Sequence, residues 1–238
     1  MNRPLHQYPE VGVVIAAGGS ATRFGGTTNK LLRNLDGIPL IAHCLRTFLT
    51  VLPADQMVVV IPPGQGAEFH GALRAGGLDP KAIRCVGGGE RRQDSVGNGL
   101  RALPSPLTIV AVQDAARPYS SQSLIKDCLE SARRHGSGVA ARRVVDTIKV
   151  ADSAGRVQRT LDRDLLWATE TPQVFRRELL EAAYRQANAQ GLAVTDEAQA
   201  VEILGQPVHL VEHREPNPKI TFASDLSPSA RQRPWARI

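Results

Sequence analysis

Val11-Gly12-Val13-Val14-Ile15-Ala16-Ala17-Gly18-Gly19-Ser20-Ala21-Thr22-Arg23 is an apolar run that stops in a loop of small residues, with Arg23 and then Lys30 at its rim. The Val/Ile density marks a buried strand, and the small residues beyond it leave backbone N–H groups uncovered. A concave row of such donors binds anions. At about 4 Å and an effective dielectric near 20, one cation–anion contact contributes roughly 4 kcal/mol before desolvation is subtracted. Two such contacts decide where a polyphosphate lies.

Working outward, residues 57–61, 83–86 and 107–112 are further short Val/Ile-rich runs, and helical periodicity occupies the intervals, as in 39–49 and 94–103. That alternation predicts a mostly parallel sheet with helices on both faces. The loops 18–30, 87–95 and 114–118 then fall at the carboxyl edge, where doubly wound sheets bind ligands. Residues 121–135 read as a helix. Beyond it 138–150 alternates basic and apolar residues, and a turn at 151–155 precedes 156–161. This predicts a β-hairpin arm over 139–162 of a single domain spanning 1–238. A two-stranded ribbon has little core of its own, so the arm is expected to project and pack on a second subunit, giving a homodimer. Helices are predicted over 176–190 and 195–204, the second opened by an incomplete capping box at Thr195, with closing strands over 207–212 and 219–222.

The chain has 238 residues, 42% hydrophobic and 22% charged, which suits one large globular domain. No apolar run reaches membrane-spanning length, and the polar first ten residues carry no apolar signal core, so a cytoplasmic protein without membrane association is expected. Cys44, Cys85 and Cys128 are odd in number and far apart, which suggests neither disulfides nor a zinc site. A net charge of +6 calls for an anionic partner. With 4% aromatic residues and cations dispersed over separate loops, the stacking platforms of a nucleic-acid binder are missing, and phosphorylated metabolites fit better.

The first loop is neither a Walker A loop nor a dinucleotide fingerprint, because no Gly-Lys-Ser/Thr follows and the third glycine is lacking. Gly87-Gly88-Gly89-Glu90-Arg91-Arg92-Gln93-Asp94-Ser95-Val96 is either a glycine turn before a helix capped by Asp94 or Ser95, or a loop whose Gly89 backbone and Ser95 read a nucleobase and orient its nucleotide. In Gln113-Asp114-Ala115-Ala116-Arg117-Pro118 the acid and the guanidinium could pair with each other. Alternatively, Asp114 serves a divalent metal or a sugar hydroxyl beside phosphates. Arg163, Thr171, Thr195 and Lys219 are either surface decoration or the cations and hydroxyls that a phosphorylated polyol requires.

Taken in order, Ala16-Ala17-Gly18 with Arg23 and Lys30, Gly88-Gly89-x-x-Arg92-Gln93-Asp94-Ser95-Val96, Asp114-Ala115-Ala116-Arg117-Pro118, Asp146-Thr147, Asp162-Arg163-x-x-Leu166-Trp167, Thr171-Pro172-Gln173, Thr195-Asp196-Glu197 and Lys219-Ile220-Thr221 resemble the 2-C-methyl-D-erythritol 4-phosphate cytidylyltransferases, from about residue 11 to residue 226. The resemblance implies a Rossmann-like α/β nucleotidyltransferase with a mixed, mostly parallel sheet and a protruding dimerising β-arm. It implies transfer of CMP from CTP to the polyol phosphate with release of pyrophosphate, in the non-mevalonate route to isoprenoids, with Mg²⁺. Carried over, Arg23 and Lys30 match the catalytic stabilisers at the α-phosphate, and Arg163 and Lys219 the residues that position the acceptor. Asp114, Arg117, Thr147, Thr171 and Thr195 match the other substrate contacts. Ala16, Ala17, Gly18, Gly89 and Ser95 match the CTP-binding set, and Glu90 a base contact. The chain departs from the family pattern in a first loop one residue longer and in Glu170, where glutamine is frequent. Ribitol or glycerol phosphate cytidylyltransferases would share the CTP half, and Asp162-Arg163 with Leu166-Trp167 favours methylerythritol phosphate. A silent nucleotide-binding regulator would not require Arg23, Lys30 and Lys219 together.

Overall fold

The computed structural model describes residues 7–19 and 29–226. Strands β1 (Val11–Ala16), β2 (Asn34–Leu35) and β3 (Ile38–Pro39) are followed by helix α1 (Leu40–Leu49), β4 (Met57–Ile61), α2 (Gly66–Ala75), β5 (Arg84–Gly87), α3 (Arg92–Ala102), β6 (Ile109–Asp114) and α4 (Gln122–His135). Then come β7 (Ser137–Arg143), β8 (Lys149–Ala151), β9 (Val157–Thr160), β10 (Trp167–Arg176), α5 (Arg177–Ala189), α6 (Glu197–Ile203) and β11 (Leu210–Glu212). No helix among the described residues is long and apolar enough to cross a membrane.

Seven strands form the main sheet in the order β11-β7-β10-β6-β1-β4-β5, and β2–β3 and β8–β9 are separate two-stranded ribbons. Within the main sheet only β10 runs antiparallel to its neighbours. The mixed, mostly parallel sheet is therefore as the sequence implied. Side chains alternate between the two faces along each inner strand. Val11, Val13 and Ile15 of β1 join Met57, Val59 and Ile61 of β4 under α1, α2 and α4. Val14, Val58 and Val60 point the other way, into the core with α3, α5 and α6. A strand buried on both faces must read as an unbroken apolar run, which is why β1 and β4 were legible.

Three expectations change. The arm is shorter than 139–162, because Ser137–Arg143 lies inside the main sheet between β10 and β11 and only Lys149–Thr160 forms the free hairpin. Small residues decide this: a side chain at Gly138 would overlap the Cys128 carbonyl of α4, so this strand is built for helix packing rather than exposure. The predicted strand at 219–222 is irregular instead. Its donors go elsewhere, Ile220 N–H to the Ala116 carbonyl at 2.8 Å and the N–H groups of Thr221 and Phe222 to Asp225 Oδ2 at 2.9 and 2.8 Å. The helix expected from Thr195 starts at Glu197, with Asp196 as its cap accepting from Gln199 N–H. Glycine context yields a test. Gly138→Ala is expected to destabilise by about 1–3 kcal/mol through overpacking. Gly71→Ala, in α2 with no atom within 4 Å of the added methyl, is expected to stabilise by about 0.5–1 kcal/mol. Urea unfolding midpoints moving in the same direction would contradict the packing described.

Candidate active site

The carboxyl ends of β1, β4, β5 and β6 share one edge. Past β1 the chain stays clamped between its neighbours, with Ala17 N–H on the Val60 carbonyl at 2.8 Å and Ala115 N–H on the Ala16 carbonyl at 3.1 Å. Past β5, Gly88 N–H binds the Ile61 carbonyl at 2.8 Å and Gly89 N–H binds Ser95 Oγ at 3.0 Å. A methyl at Gly89 would come to 2.6 Å from Asp94 Cβ, so only glycine lets this loop close on α3. A methyl on Gly18 would lie 3.6 Å from the same Ser95 oxygen. Gly18, Gly88 and Gly89 thus gather around the Ser95 hydroxyl, while Ala16 and Ala17 are held through their backbone to Ala115 and Val60. Asp94 caps α3 through Arg91, whose backbone N–H and guanidinium it accepts. Glu90 is exposed on the same loop.

Next to this loop pair, β6 ends in Asp114, which is 7% exposed. Arg92 NH1 donates to its Oδ1 at 2.8 Å and the Lys219 ammonium stands 2.7 Å from Oδ2, while Arg117 Nε is 3.9 Å away. Burial works against the charged carboxylate, but Arg92 and then Lys219 outweigh it and hold the group well below the usual carboxylate range. The other side of Arg92 forks onto Glu197, Nε to Oε1 at 3.1 Å and NH2 to Oε2 at 2.9 Å. Glu197 is fully buried and also accepts from the Tyr184 hydroxyl at 3.0 Å.

Residues 213–222 carry Lys219 to this point. Asn217 donates to Glu170 Oε2 and to the Thr171 carbonyl, both at 2.9 Å, and accepts from Ser120 Oγ at 2.9 Å and, at its carbonyl, from Arg117 NH1 at 2.6 Å. Glu170 in turn accepts from Arg142 Nε at 2.9 Å and lies 3.3 Å from both Arg117 NH1 and His213 Nε2. Burial opposes its ionisation, yet His213, Arg117 and Arg142 prevail and lower its pKa. Thr171 Oγ1 accepts from Asp114 N–H at 3.0 Å. The Lys30 ammonium donates to the Ile220 carbonyl at 2.7 Å, one residue from Lys219. A cavity of about 430 Å³ opens beside Arg117, Thr169, Glu170, Asn217 and Lys219.

Lys30, Asp114, Arg117, Thr171 and Lys219 are therefore brought together. Thr195 is exposed and bound to Gln199, although its neighbour Asp196 is anchored to β10 through Gln173. Thr147 is exposed in the connection to β8, and Arg163, also exposed, donates to the Val145 carbonyl at 3.1 Å, tying the two ends of the arm together. Arg23 falls outside the described residues. Arg92 and Glu197 stood in the quoted motifs without a role, Glu170 appeared only as a departure from the family pattern, and Asn217 lay just outside the Lys219 motif. The available signal was electrostatic: a carboxylate ending a buried strand needs a cation, and Arg92 opens the helix alongside.

The family model described as "IspD: 2-C-methyl-D-erythritol 4-phosphate cytidylyltransferase" matches residues 11–231. The chain belongs to this cytidylyltransferase family. Among its relatives are the enzyme of Pelotomaculum thermopropionicum, 39% identical over 92% of both chains, and that of Symbiobacterium thermophilum, 40% identical over 91% of this chain and 89% of the other. The crystal structure of 4-diphosphocytidyl-2C-methyl-D-erythritol synthase from Anaerococcus prevotii superposes with a TM-score of 0.78 at 26% identity, covering 94% of this chain and 98% of that one. The Thermus thermophilus cytidylyltransferase gives 0.74 at 32% identity, covering 91% and 95%. Two buried carboxyls of this site, Asp114 and Glu170, are depressed. A depressed folded-state pKa contributes stability that is full above the unfolded value, about pH 4 for carboxyls, and is lost as pH falls through the folded one. Guanidinium midpoints are expected to fall as pH drops below about 4, and less steeply in Asp114→Asn. An identical slope in that variant would contradict the ion pairing at Asp114.

Proposed function

We propose that the loops meeting at Ser95 hold CTP and that the group around Asp114 receives 2-C-methyl-D-erythritol 4-phosphate, so that CMP transfer occurs between them. The observation carrying this reading is the convergence of Lys30, Lys219 and Asp114 at the carboxyl edge, beside the loops that Ser95 ties together. A phosphate monoester is already an anion at neutral pH, so its oxygen attacks the α-phosphorus without a general base. The new O–P bond forms as the bond to the β-phosphate oxygen breaks, and pyrophosphate leaves with that electron pair. The work of the protein is alignment and charge compensation. In this reading Lys30 and Arg23 face the charge that builds on the reacting phosphorus, and Lys219 and Arg163 hold the acceptor phosphate. Asp114, Arg117, Thr147, Thr171 and Thr195 supply the remaining polar contacts of the polyol phosphate, Asp114 toward its hydroxyl groups. Ala16, Ala17, Gly18, Gly89, Glu90 and Ser95 bind CTP.

Both oxygens of Asp114 already face cations, and the described residues hold no group of three or more His, Cys, Asp or Glu able to cage a metal. The arrangement fits a Mg²⁺ held by triphosphate oxygens and water, as this ion prefers. When bound, it supplies neutralisation of phosphate charge. The hairpin Lys149–Thr160, whose second strand is exposed throughout, is the element that would pair two subunits. Free phosphorylated substrates suit a cytoplasmic enzyme. Pyrophosphate release from CTP with a panel of polyol phosphates tests the reading, with 2-C-methyl-D-erythritol 4-phosphate expected to be turned over in preference to ribitol and glycerol phosphates, and the reverse preference contradicting it. Lys30→Ala is expected to lower kcat by roughly 10²–10³, by analogy with loss of an oxyanion donor. Near-normal kcat would remove Lys30 from the reaction. Arg163→Ala should raise KM for the polyol phosphate more than for CTP, and equal effects would refute its placement. Sedimentation should give a dimer, and a monomer at micromolar concentration would contradict the role of the arm.

A further inference from the structure

We infer that Arg92, braced by Glu197, is a positioning residue for the acceptor half of the site: it occupies one oxygen of Asp114 so that only the other remains for Lys219. The inference rests on the assignment of Asp114 and Lys219 to the acceptor made above.

The guanidinium of Arg92 is bound in two directions, by one nitrogen to Asp114 Oδ1 and by a two-pronged fork to Glu197. It cannot swing away from Asp114 without breaking that fork, and a fully buried carboxylate left unpaired is strongly disfavoured. Glu197 is itself fixed, by the Tyr184 hydroxyl of α5 and by its place in the first turn of α6, whose Ala198 N–H is accepted by Gln173 of β10. Asp114 is therefore held at its backbone by Thr171 and at one carboxylate oxygen by Arg92, leaving Oδ2 for Lys219.

The two cations on Asp114 differ in freedom. The Lys219 side chain is 40% exposed against 26% for Arg92, and an ammonium carries three donors in rotatable positions. One can stay on Asp114 Oδ2 while the others turn to an incoming phosphate. Without Arg92, both oxygens of Asp114 would compete for Lys219 and the site would lose a positive charge, which weakens its hold on an anionic acceptor. Lysine could not replace arginine fully, because a tetrahedral ammonium lacks the planar fork that meets both oxygens of Glu197 while a further nitrogen reaches Asp114. The first turn of α3 also carries Ser95, which fixes Gly89 of the nucleotide loop. One helical turn thus sets the distance between the two half-sites.

The test uses the full chain and the variants Arg92→Gln, Arg92→Lys and Glu197→Gln, with thermal unfolding followed beside steady-state pyrophosphate release. Arg92→Gln is expected to raise KM for 2-C-methyl-D-erythritol 4-phosphate about tenfold or more, the loss of one charge-assisted hydrogen bond, with a smaller change in KM for CTP. Arg92→Lys should recover part of this effect, and Glu197→Gln should shift it the same way by less. Folded variants that change both KM values equally, or an Arg92→Lys that recovers none of the loss, would overturn the assignment. Should the Arg92 variants fail to fold, an acceptor KM in Glu197→Gln equal to that of the wild type would overturn it instead. Wild-type turnover of this acceptor reports separately on the functional reading, and its absence would remove both.

Discussion

A carboxylate at the end of a strand buried on both faces cannot remain ionised alone, because desolvation of a charge exceeds most other local terms. Asp114 is in that position, and its requirement for cations draws in three segments that the fold would otherwise leave apart. Arg92 comes from the start of α3, Arg117 from the turn after β6, and Lys219 from an irregular stretch near the end of the described chain. Since α3 also supplies Ser95 to the glycine loop, the electrostatics of one side chain bring that loop and these cations to the same edge.

The single antiparallel strand makes this arrangement possible. Because β10 runs against β6, its first half lies at the carboxyl edge, where Thr171 meets the Asp114 N–H and Glu170 meets Arg117, Arg142 and Asn217. Asn217 then anchors a segment that has no ladder of its own, by side-chain bonds to Glu170 and Ser120 and through its carbonyl to Arg117. Backbone groups without sheet partners must find others, and here those partners are the side chains and carbonyls of the site. The path that carries Lys219 is thus specified by polar contacts rather than by apolar packing.

What could be read in the sequence follows from that difference. Runs such as Met57–Ile61 are buried on both faces and announce themselves by composition. Residues 138–143 mislead, because a run of small residues closed by two arginines suits the start of an exposed ribbon as well as a strand packed closely on α4. Residues 219–222 have strand-like composition, yet their donors are claimed by Ala116 and Asp225. At Asp114 local reasoning offered Arg117, three residues on, as a partner for the acid, whereas the close partners are Lys219 and Arg92, the latter twenty-two positions earlier. Only the folded sheet brings that pair together. The glycine loop shows the helix cap of its first reading, Asp94 accepting from Arg91, and Ser95 closes the turn. Membership of the family was legible throughout, since the ordered motifs span the segment that the family model matches.

The site depends most directly on the coupling between Asp114 and Lys219. A double-mutant cycle with Asp114→Asn, Lys219→Met and the combined variant, read as kcat/KM for 2-C-methyl-D-erythritol 4-phosphate, measures it. Strong non-additivity is expected, with the double variant little worse than the poorer single one, because residues acting as a unit share one loss. Losses that simply multiply would show two independent side chains and contradict the shared site.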